Sequence, residues 1–254
     1  MPLASKGLTF GAEIQRDPKP EDYINASFIY HIPPVNTWRA ELDFDKIDYI
    51  ATQGPMKSTC GDFWRMIVEQ KATGIVMLTN LRDGKQVLCH QYWPEELNRT
   101  EEYTSGPVQI KVKLEKEIKH PEVTERAFQV TSSIEPNKCF TVWHLHMTSW
   151  PDMGVPDMIQ LEGLMDKHQV LRRSNELEGP TVVHCRAGLG RTGTFIVSEL
   201  LRKHVHEGAY VDIAGIILQL RRCRPFMVEN VKQYIFLHEY ANALISDPAR
   251  GVSE

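Results

Sequence analysis

The segment from Val182 to Phe195 constrains the fold of this chain more than any other, because it combines signals for a strand, a turn and a helix. It reads Val-Val-His-Cys-Arg-Ala-Gly-Leu-Gly-Arg-Thr-Gly-Thr-Phe. The β-branched run at 181–183 predicts a buried strand, and the pattern of residues 192–205 predicts a helix. Residues 184–191 are therefore expected to connect the strand to the helix.

The residue types of this connection suit a bound phosphate dianion. Gly188 and Gly190 allow backbone conformations that turn successive N–H groups toward an anion. The positive end of the following helix points into the same space. Five residues separate Arg191 from Cys185, so its planar guanidinium can reach back to bind two phosphate oxygens. The candidate substrate-binding residues of this loop are Arg186, Ala187, Gly188, Leu189, Gly190 and Arg191.

Cys185 is the candidate nucleophile of this loop. An electropositive site favours the thiolate, which is the reactive form of cysteine. The alternative is a core cysteine at the end of a strand, with glycines that serve only the turn. The combined pattern His-Cys-x5-Arg-Thr-Gly, placed between a strand and a helix, favours the catalytic interpretation.

Asp152 is the candidate general acid. Breaking a phosphate ester requires a proton on the leaving oxygen. Asp152 follows Trp150 and Pro151 in a segment rich in proline and glycine, which can form a hinged loop over a cleft. An aspartate after proline is otherwise a common turn residue. Its pairing with the cysteine loop further along the chain supports the assignment as an acid.

Apolar periodicity places most strands before residue 150 and most helices after it. Strand-like runs occupy residues 22–29, 49–55, 75–78, 86–93, 108–114, 127–132 and 140–147, and residues 59–70 have helical spacing. Apolar stripes indicate further helices within 161–171, 213–220 and 234–244, the last with Tyr234 and His238 on its apolar face. This distribution predicts a central mixed sheet with helices on its faces. Residues 1–22 are expected to form an irregular lead-in, and residues 23–254 a single domain.

The two loops together resemble signature segments of the cysteine-dependent, tyrosine-specific protein tyrosine phosphatases. Four further runs are similar to that family, at Asp22–Ile29, Thr52–Pro55, Asp62–Met66 and Gln91–Pro94. The resemblance extends over about residues 22–243. It implies an α/β fold of the α+β type, with a highly twisted mixed β-sheet flanked by α-helices. The phosphatase signature loop would lie between a central strand and a helix.

The resemblance also implies the reaction, which is hydrolysis of phosphotyrosine in proteins through a cysteinyl-phosphate intermediate. Cys185 would attack phosphorus while Asp152 protonates the leaving oxygen, and Arg191 and the loop amides would bind the phosphoryl group. In the second step, water would attack the intermediate with Asp152 as base, and Thr192 would stabilise the departing thiolate. The reaction would need no metal and no cofactor.

Three other site residues are assigned from the same resemblance. His184 precedes the nucleophile and is expected to tune the thiolate, with Tyr92 as a candidate hydrogen-bond partner. Glu229 and Gln233 belong to a run at 227–234 that is similar to the glutamine loop of the family, which places the hydrolytic water. Both residues are therefore expected to contact the substrate, and Gln233 to take part in catalysis.

The chain departs from the family pattern at three places. The family has a tyrosine-bearing loop that stacks on the phosphotyrosine ring, and no such run precedes Asp22. Arg186 stands where serine is usual, which adds positive charge at the cleft. Glu229 stands where the first glutamine is usual. Its carboxylate would repel a phosphoryl group unless it were protonated or paired with Arg186 or with an arginine of residues 221–224.

These departures leave two alternative functions open. The first is a catalytically weak pseudophosphatase module that binds phosphotyrosine segments without turnover. Glu229 and the absent tyrosine loop favour it, whereas the presence of Cys185, Asp152 and Arg191 opposes it. The second is a dual-specificity or phosphoinositide phosphatase with the same loop chemistry. Arg186 and a shallower pocket favour this second alternative, whereas the tyrosine-specific runs oppose it.

Two further polar clusters receive structural interpretations. His144 and His146 alternate on one strand face, but no third ligand stands at a suitable spacing, so they are not interpreted as metal ligands. Arg221, Arg222 and Arg224 are interpreted as a solvated helix end, with substrate binding as the alternative.

Composition restricts the partners and the compartment. The formal charge of −4 provides no general attraction to nucleic acid or to anionic membranes. No apolar run reaches the roughly 18 residues of a membrane helix, and the N-terminus lacks the plan of a signal peptide. The five cysteines are odd in number and widely spaced, which favours reduced thiols in the cytoplasm. The expected partners are phosphotyrosine-containing proteins, and the oligomeric state is left open.

Overall fold

A mixed β-sheet of eight strands forms the centre of the computed structural model, which describes residues 23–34, 40–174 and 176–247. In chain order the strands are β1 (Ala26–His31), β2 (Asp43–Gln53), β3 (Gly74–Met77), β4 (Arg82–Asp83), β5 (Gln86–Val87), β6 (Thr100–Ser105), β7 (Val108–Lys119), β8 (Thr124–Ser132), β9 (Cys139–His146) and β10 (Thr181–Cys185). Strands β4 and β5 form a separate hairpin, and the order across the main sheet is β1-β2-β10-β3-β9-β8-β7-β6.

Helices cover both faces of this sheet. They are α1 (Cys60–Glu69), α2 (Met158–Arg173), α3 (Gly190–His206), α4 (Ile213–Cys223) and α5 (Val231–Ser246). Val182 packs into the core beneath α1, and Val183 packs into the core beneath the other helices, because successive side chains of a strand point to opposite faces. The predicted fold class, an α+β arrangement of a mixed sheet flanked by helices, is confirmed.

The four central strands of the sheet, β2, β10, β3 and β9, run parallel. Every residue of β10 is buried, which explains its continuous β-branched run. Pairing aligns Cys185 with Gln53 on β2. It also aligns His184 with Met77, and Met77 with His146. The loops that follow these strands therefore meet at one edge of the sheet, where α/β proteins place their sites.

Two strand predictions differ from the structure. The prediction of a strand over residues 86–93 is wrong, because only Gln86–Val87 are in a strand and the rest of the segment is irregular. Its apolar residues are buried without strand pairing, and Trp64 Nε1 donates to the Tyr92 carbonyl at 2.7 Å. Strand β6 was not predicted because it is a mostly polar edge strand that pairs with β7 alone.

The apolar face predicted for α5 is displaced by one residue. Tyr234 and His238 are exposed, whereas Gln233, Phe236 and Leu237 are buried. Because Gln233 is polar, a hydrophobicity pattern does not count it as a buried position, and the predicted buried face was therefore placed one residue too far along the helix. This displacement places Gln233 toward the edge of the sheet that carries the site.

The predicted lead-in at residues 1–22 lies outside the described residues, and the assignment of residues 23–254 to one domain stays a prediction. None of the described helices is both long enough and apolar enough to cross a lipid bilayer.

Candidate active site

The loop between β10 and α3 carries the candidate nucleophile. Cys185 is 3% exposed, and its Sγ accepts a hydrogen bond from the N–H of Gly188 at 3.2 Å. Gly188 has a φ of +71°, and a Cβ there would lie 2.2 Å from the carbonyl oxygen of Thr52. Only glycine therefore fits this position. Helix α3 begins at Gly190 rather than at the predicted Thr192.

Arg224 supports this loop from behind. Its Nε donates to the Gly188 carbonyl at 2.9 Å, and its Nη2 donates to the Ala187 carbonyl at 3.1 Å. Since the C=O and N–H groups of one trans peptide link point in opposite directions, the N–H groups of Gly188 and Leu189 face away from Arg224. Burial lowers the pKa of Arg224, which is 6% exposed. The interpretation of Arg224 as part of a solvated helix end is therefore wrong.

Asp152 bridges two arginines of the loop. Its Oδ1 lies 2.8 Å from Arg191 Nη2, and its Oδ2 lies 3.6 Å from Arg186 Nη1. Arg191 is buried, and its Nη1 also donates to the Trp150 carbonyl at 3.2 Å. The segment that follows β9 thus lies over the cysteine loop and places a carboxylate beside the guanidinium groups.

The segment over the loop, residues 148–156, is held at its base and at its tip. The Trp150 ring is buried, and its Nε1 donates to the Gly154 carbonyl at 3.1 Å. At the tip, Asn230 Nδ2 donates to the Met153 carbonyl at 3.2 Å, and Gln233 Nε2 lies 3.4 Å from the Gly154 carbonyl oxygen. The position of Asp152 therefore depends on contacts with the start of α5.

These elements enclose a cleft of about 150 Å³. The predicted site residues that line it are Asp152, Cys185, Arg186, Ala187, Gly190, Arg191, Glu229 and Gln233. Met153 also lines the cleft, and its apolar side chain carries no chemical signal that a sequence could reveal. Gly188 and Leu189 lie in the same loop, whereas His184 and Thr192 are fully buried.

Glu229 and Gln233 form one wall of the cleft. The N–H of Glu229 donates to Gln233 Oε1 at 3.1 Å, and Asn230 Oδ1 caps α5 by accepting from the Gln233 N–H at 3.0 Å. A Cβ built on Gly190 would lie 3.1 Å from Glu229 Oε2 and 3.0 Å from Gln233 Nε2. The carboxylate and the carboxamide therefore both face the start of α3.

No ion pair of Glu229 with an arginine, one of the two conditions named above for avoiding repulsion, is made among the described residues. Arg186 pairs with Asp152 instead. Arg221 is exposed in the last turn of α4, and it donates to two backbone carbonyls of the loop before α5, each at 2.9 Å. In the part of the chain that the structure describes, the carboxylate of Glu229 therefore faces the cleft without an arginine partner that could neutralise it.

Two of the assigned residues lie beneath the loop. His184 Nε2 is 2.8 Å from Tyr92 Oη, the expected partner, and His184 Nδ1 is 3.3 Å from the Cys185 carbonyl oxygen. Burial lowers the pKa of His184 to about 3, so this ring is neutral at pH 7. Thr192 Oγ1 is buried and has no hydrogen-bond partner among the described residues. The expected bond from Thr192 to the Cys185 sulfur is therefore not made in this structure.

The histidines of β9 make hydrogen bonds within the protein. His144 Nε2 is 2.9 Å from Tyr92 Oη, and His146 Nε2 is 2.8 Å from the Thr79 carbonyl oxygen. Both Nδ1 atoms lie 3.4 Å from Arg126 Nη1. In the part of the chain that the structure describes, no group of three or more His, Cys, Asp or Glu side chains could hold a metal ion.

The site thus has a cysteine in a loop between a strand and a helix, an arginine in the same loop and an aspartate above it. This arrangement is typical of proteins that bind a phosphate group beside a cysteine. Within that class, a sequence model of the family described as Protein-tyrosine phosphatase matches residues 9–243. The chain belongs to this family, and the resemblance noted from its motifs is confirmed.

Several curated proteins are similar to this chain. Tyrosine-protein phosphatase non-receptor type 7 of Mus musculus is 38% identical over 245 residues, which cover 93% of this chain and 60% of that protein. Receptor-type tyrosine-protein phosphatase eta of Homo sapiens is 38% identical over 224 residues, or 86% of this chain and 15% of that protein. Phosphatidylinositol phosphatase PTPRQ of Homo sapiens is 37% identical over 227 residues, which cover 89% of this chain and 9% of that protein. The chain thus spans less than two thirds of the length of these relatives.

Proposed function

We propose that this chain hydrolyses phosphotyrosine in proteins through a cysteinyl-phosphate intermediate. The observation that carries the proposal is the position of the Cys185 sulfur, in a loop that also contains Arg191 and lies beneath Asp152. Membership of the protein-tyrosine phosphatase family supports it, as do relatives that are named tyrosine-protein phosphatases. Because Arg191 and the loop amides supply the positive charge for the phosphoryl group, the proposed reaction uses no metal and no cofactor.

In the first step, the Cys185 thiolate attacks phosphorus, and the bond from phosphorus to the tyrosine oxygen breaks. Arg191 exchanges its contact with Asp152 for two phosphoryl oxygens, and the N–H groups of Gly188 and Leu189 face the third. Asp152 in its protonated form donates its proton to the tyrosine oxygen as that bond breaks. The products are a neutral tyrosine side chain and a cysteinyl-phosphate.

In the second step, water attacks phosphorus, Asp152 takes the proton of that water, and the Cys185 thiolate leaves. The Gln233 carboxamide is held by the Glu229 N–H and faces the start of α3, where it can orient the water. The buried Thr192 hydroxyl is free to rotate and donate to the departing sulfur.

The two charged residues that depart from the family pattern adjust this scheme. The Glu229 carboxylate repels the phosphoryl group and makes hydrolysis of the intermediate the slower step. The Arg186 side chain is 46% exposed and adds positive charge at the mouth of the cleft. It therefore favours peptides with acidic residues beside the phosphotyrosine.

The proposal extends to partners and location. The substrates are phosphotyrosine-containing proteins of signalling pathways, and the charge of −4 gives no reason for a nucleic-acid partner. All five cysteines are free thiols, as is usual in the reducing cytoplasm. We therefore place the activity in the cytoplasm.

The test measures hydrolysis of a phosphotyrosine peptide by the purified chain in the presence of a metal chelator. We expect turnover, no turnover in Cys185→Ser, and unchanged turnover in the matched control Cys139→Ser, because Cys139 is exposed and distant from the cleft. Mass spectrometry of the quenched reaction should find the phosphoryl group on Cys185. Peptide binding without turnover would support a binding module instead. Faster hydrolysis of phosphoserine peptides or of phosphoinositide vesicles would replace the proposed substrate.

A second measurement locates the slow step. Rapid mixing should show a burst of tyrosine release followed by slower turnover, the pattern of an intermediate that accumulates. Glu229→Gln should raise the steady rate by about tenfold, which corresponds to removing about 1.4 kcal/mol of repulsion. The control Glu239→Gln changes an exposed carboxylate further along α5 and should leave the rate unchanged. A steady rate that falls in Glu229→Gln would contradict the assigned repulsion.

A further inference from the structure

A chain of buried hydrogen bonds outside the cleft ends at the backbone of the nucleophile. It runs from Arg126 on β8 to His144 on β9, to Tyr92 after β5, to His184 on β10 and to the carbonyl group of Cys185. The distances are 3.4, 2.9, 2.8 and 3.3 Å in that order. All four side chains are buried. The proposed reaction gives no role to Arg126 or to His144.

Arg126 determines which atoms are donors at one end of this chain. A guanidinium group only donates, so the Nδ1 atoms of His144 and His146, each 3.4 Å from Arg126 Nη1, must accept. A neutral imidazole has one donor and one acceptor nitrogen. His144 Nε2 therefore carries the hydrogen and donates to Tyr92 Oη. His146 follows the same rule, because its Nε2 must donate to the Thr79 carbonyl oxygen at 2.8 Å.

The carbonyl group at the other end requires the same direction. A carbonyl oxygen only accepts, so His184 Nδ1 carries the hydrogen and donates to Cys185. His184 Nε2 must then accept, and Tyr92 donates its one hydroxyl hydrogen to it. Tyr92 Oη is left to accept from His144, which agrees with the assignment made from Arg126. The two ends therefore agree on one arrangement of hydrogens, in which each end determines the tautomer of the histidine that it contacts.

Both histidines of this chain must be neutral for the arrangement to hold, and their surroundings favour that state. Burial lowers the pKa of His184 to about 3. Burial also lowers the pKa of His144 well below its ordinary value, and the Arg126 charge lowers it further. The Arg126 charge is itself balanced by Glu117, whose Oε2 accepts from Arg126 Nε at 2.7 Å. The donor therefore stays charged while its acceptors stay neutral.

We propose that Arg126 is a positioning residue for Cys185: its donation to His144 makes His144 a donor to Tyr92, and so reinforces the bond that His184 Nδ1–H donates to the Cys185 carbonyl oxygen. Hydrogen bonds in series polarise one another. The N–H of Arg186 shares a peptide link with that carbonyl, so it becomes a stronger donor to an anion in the loop. This consequence for catalysis rests on the proposed function, whereas the order of the hydrogens does not.

The first test observes the hydrogens directly. Nitrogen-15 NMR of the purified chain with labelled histidine distinguishes ring nitrogens that carry a hydrogen from those that do not, which coordinates do not reveal. Near pH 7 we expect the hydrogen on Nε2 of His144 and on Nδ1 of His184. The opposite tautomer at either residue in the unmodified protein would overturn the proposal. The measurement needs no turnover, so an inactive protein would contradict the proposed function without affecting this result.

The second test removes the donor. Arg126→Met should convert His144 to a mixture of tautomers and lower kcat/KM for a phosphotyrosine peptide by about tenfold, equivalent to about 1.4 kcal/mol. Arg126→Lys keeps a charged donor and should recover most of both properties. The matched control is Arg65→Met, which removes another partly buried arginine that pairs with a glutamate, Glu69, at 2.8 Å. Unchanged tautomers in Arg126→Met, or an equal loss of kcat/KM in Arg65→Met, would contradict a positioning role.

A third variant covers the case in which Arg126→Met does not fold. Tyr92→Phe removes only the hydroxyl group and divides the chain at its middle. We expect His144 to keep its hydrogen on Nε2, because Arg126 still faces its Nδ1. His184 should keep its hydrogen on Nδ1, because the Cys185 carbonyl oxygen still accepts from it. A mixture at His144 with an unchanged His184 would show that the order does not start at Arg126.

Discussion

The carboxylate of Asp152 lies 2.8 Å from the guanidinium of Arg191, so the proposed general acid and the principal phosphate-binding group contact each other directly. A phosphoryl group that binds Arg191 must replace this contact, because carboxylate and phosphoryl oxygens bind the same donor atom. In the proposed reaction Asp152 therefore has two opposing effects, since it competes with phosphate for Arg191 and supplies the proton for the leaving oxygen.

Asp152→Ala should separate these two effects. We expect kcat to fall by roughly 10²–10⁴-fold, as for loss of a general acid. The inhibition constant of inorganic phosphate should stay the same or become smaller, because no carboxylate competes for Arg191. The control Asp157→Asn keeps a cap for α2, since Asp157 accepts from the Gln160 N–H at 3.0 Å and asparagine caps equally well. Weaker phosphate binding in Asp152→Ala would show that the ion pair does not compete.

Gly188→Ala should disrupt the loop, and Gly84→Ala provides a matched comparison. Both glycines have positive φ, +71° and +54°, so alanine costs about 1 kcal/mol of backbone strain at either position. A Cβ at Gly84 meets nothing within 4 Å, whereas a Cβ at Gly188 meets the Thr52 carbonyl oxygen at 2.2 Å. Urea denaturation should therefore show an additional loss of at least about 2 kcal/mol for Gly188→Ala, together with loss of kcat. Equal losses in the two variants would contradict the predicted clash.

Arg224→Met should weaken the loop from behind. It leaves the Ala187 and Gly188 carbonyls without their donor, and each unsatisfied buried group costs about 1–3 kcal/mol. We expect unfolding free energy to fall by about 2–4 kcal/mol and KM to rise, measured by urea denaturation and steady-state kinetics. Arg82→Met changes an exposed arginine of the β4–β5 hairpin, and should change stability by less than about 0.5 kcal/mol. Similar losses in both variants would show that the loop does not depend on Arg224.

Stability should decrease as the pH falls below about 6.5. Burial lowers the pKa of His146 to about 4 and that of His184 to about 3, whereas both titrate near 6.5 in the unfolded chain. At pH values between the folded and the unfolded pKa, the unfolded chain binds more protons than the folded chain. The free energy of unfolding therefore decreases as the pH is lowered. As the pH is lowered from 6.5 to 5, each of these two histidines should lower the free energy of unfolding by about 2 kcal/mol.

Urea denaturation at several pH values measures this dependence. His146→Gln removes the contribution of one histidine to the pH dependence of the free energy of unfolding, so the slope of that free energy against pH should become shallower. The size of this change separates the contribution of His146 from that of the carboxylates. His238→Gln changes an exposed histidine of α5 and serves as the control. An equal slope in His146→Gln and in the unmodified protein would contradict the assigned burial effect.

Most residues that the structure brings together in the loop after β10 could be predicted from the sequence because they are close together along the chain. Cys185, Gly188 and Arg191 lie within one strand-loop-helix unit, and the backbone of that unit determines how they face a phosphate. Asp152 was recognised by its place in a Pro- and Gly-rich segment. The helical segments were predicted for the same reason, because apolar spacing within a helix is a local property.

Where a contact joins residues far apart along the chain, only the tertiary structure decided it. Arg224 appeared as one of several arginines at a helix end, and its carbonyl partners belong to the loop after β10. The buried phase of α5 was missed because Gln233 is polar, yet it turns toward the cleft.

The sequence by itself determined the fold class and the candidate reactive groups, since these follow from local periodicity and from residue types within one loop. The tertiary structure decided which charges meet. It pairs Arg186 with Asp152, leaves Glu229 facing the start of α3, and joins Arg126 to the Cys185 carbonyl through buried rings. The physical reason is that a buried polar group requires a hydrogen-bond partner. That partner can lie anywhere along the chain, so only the folded structure shows which residue it is.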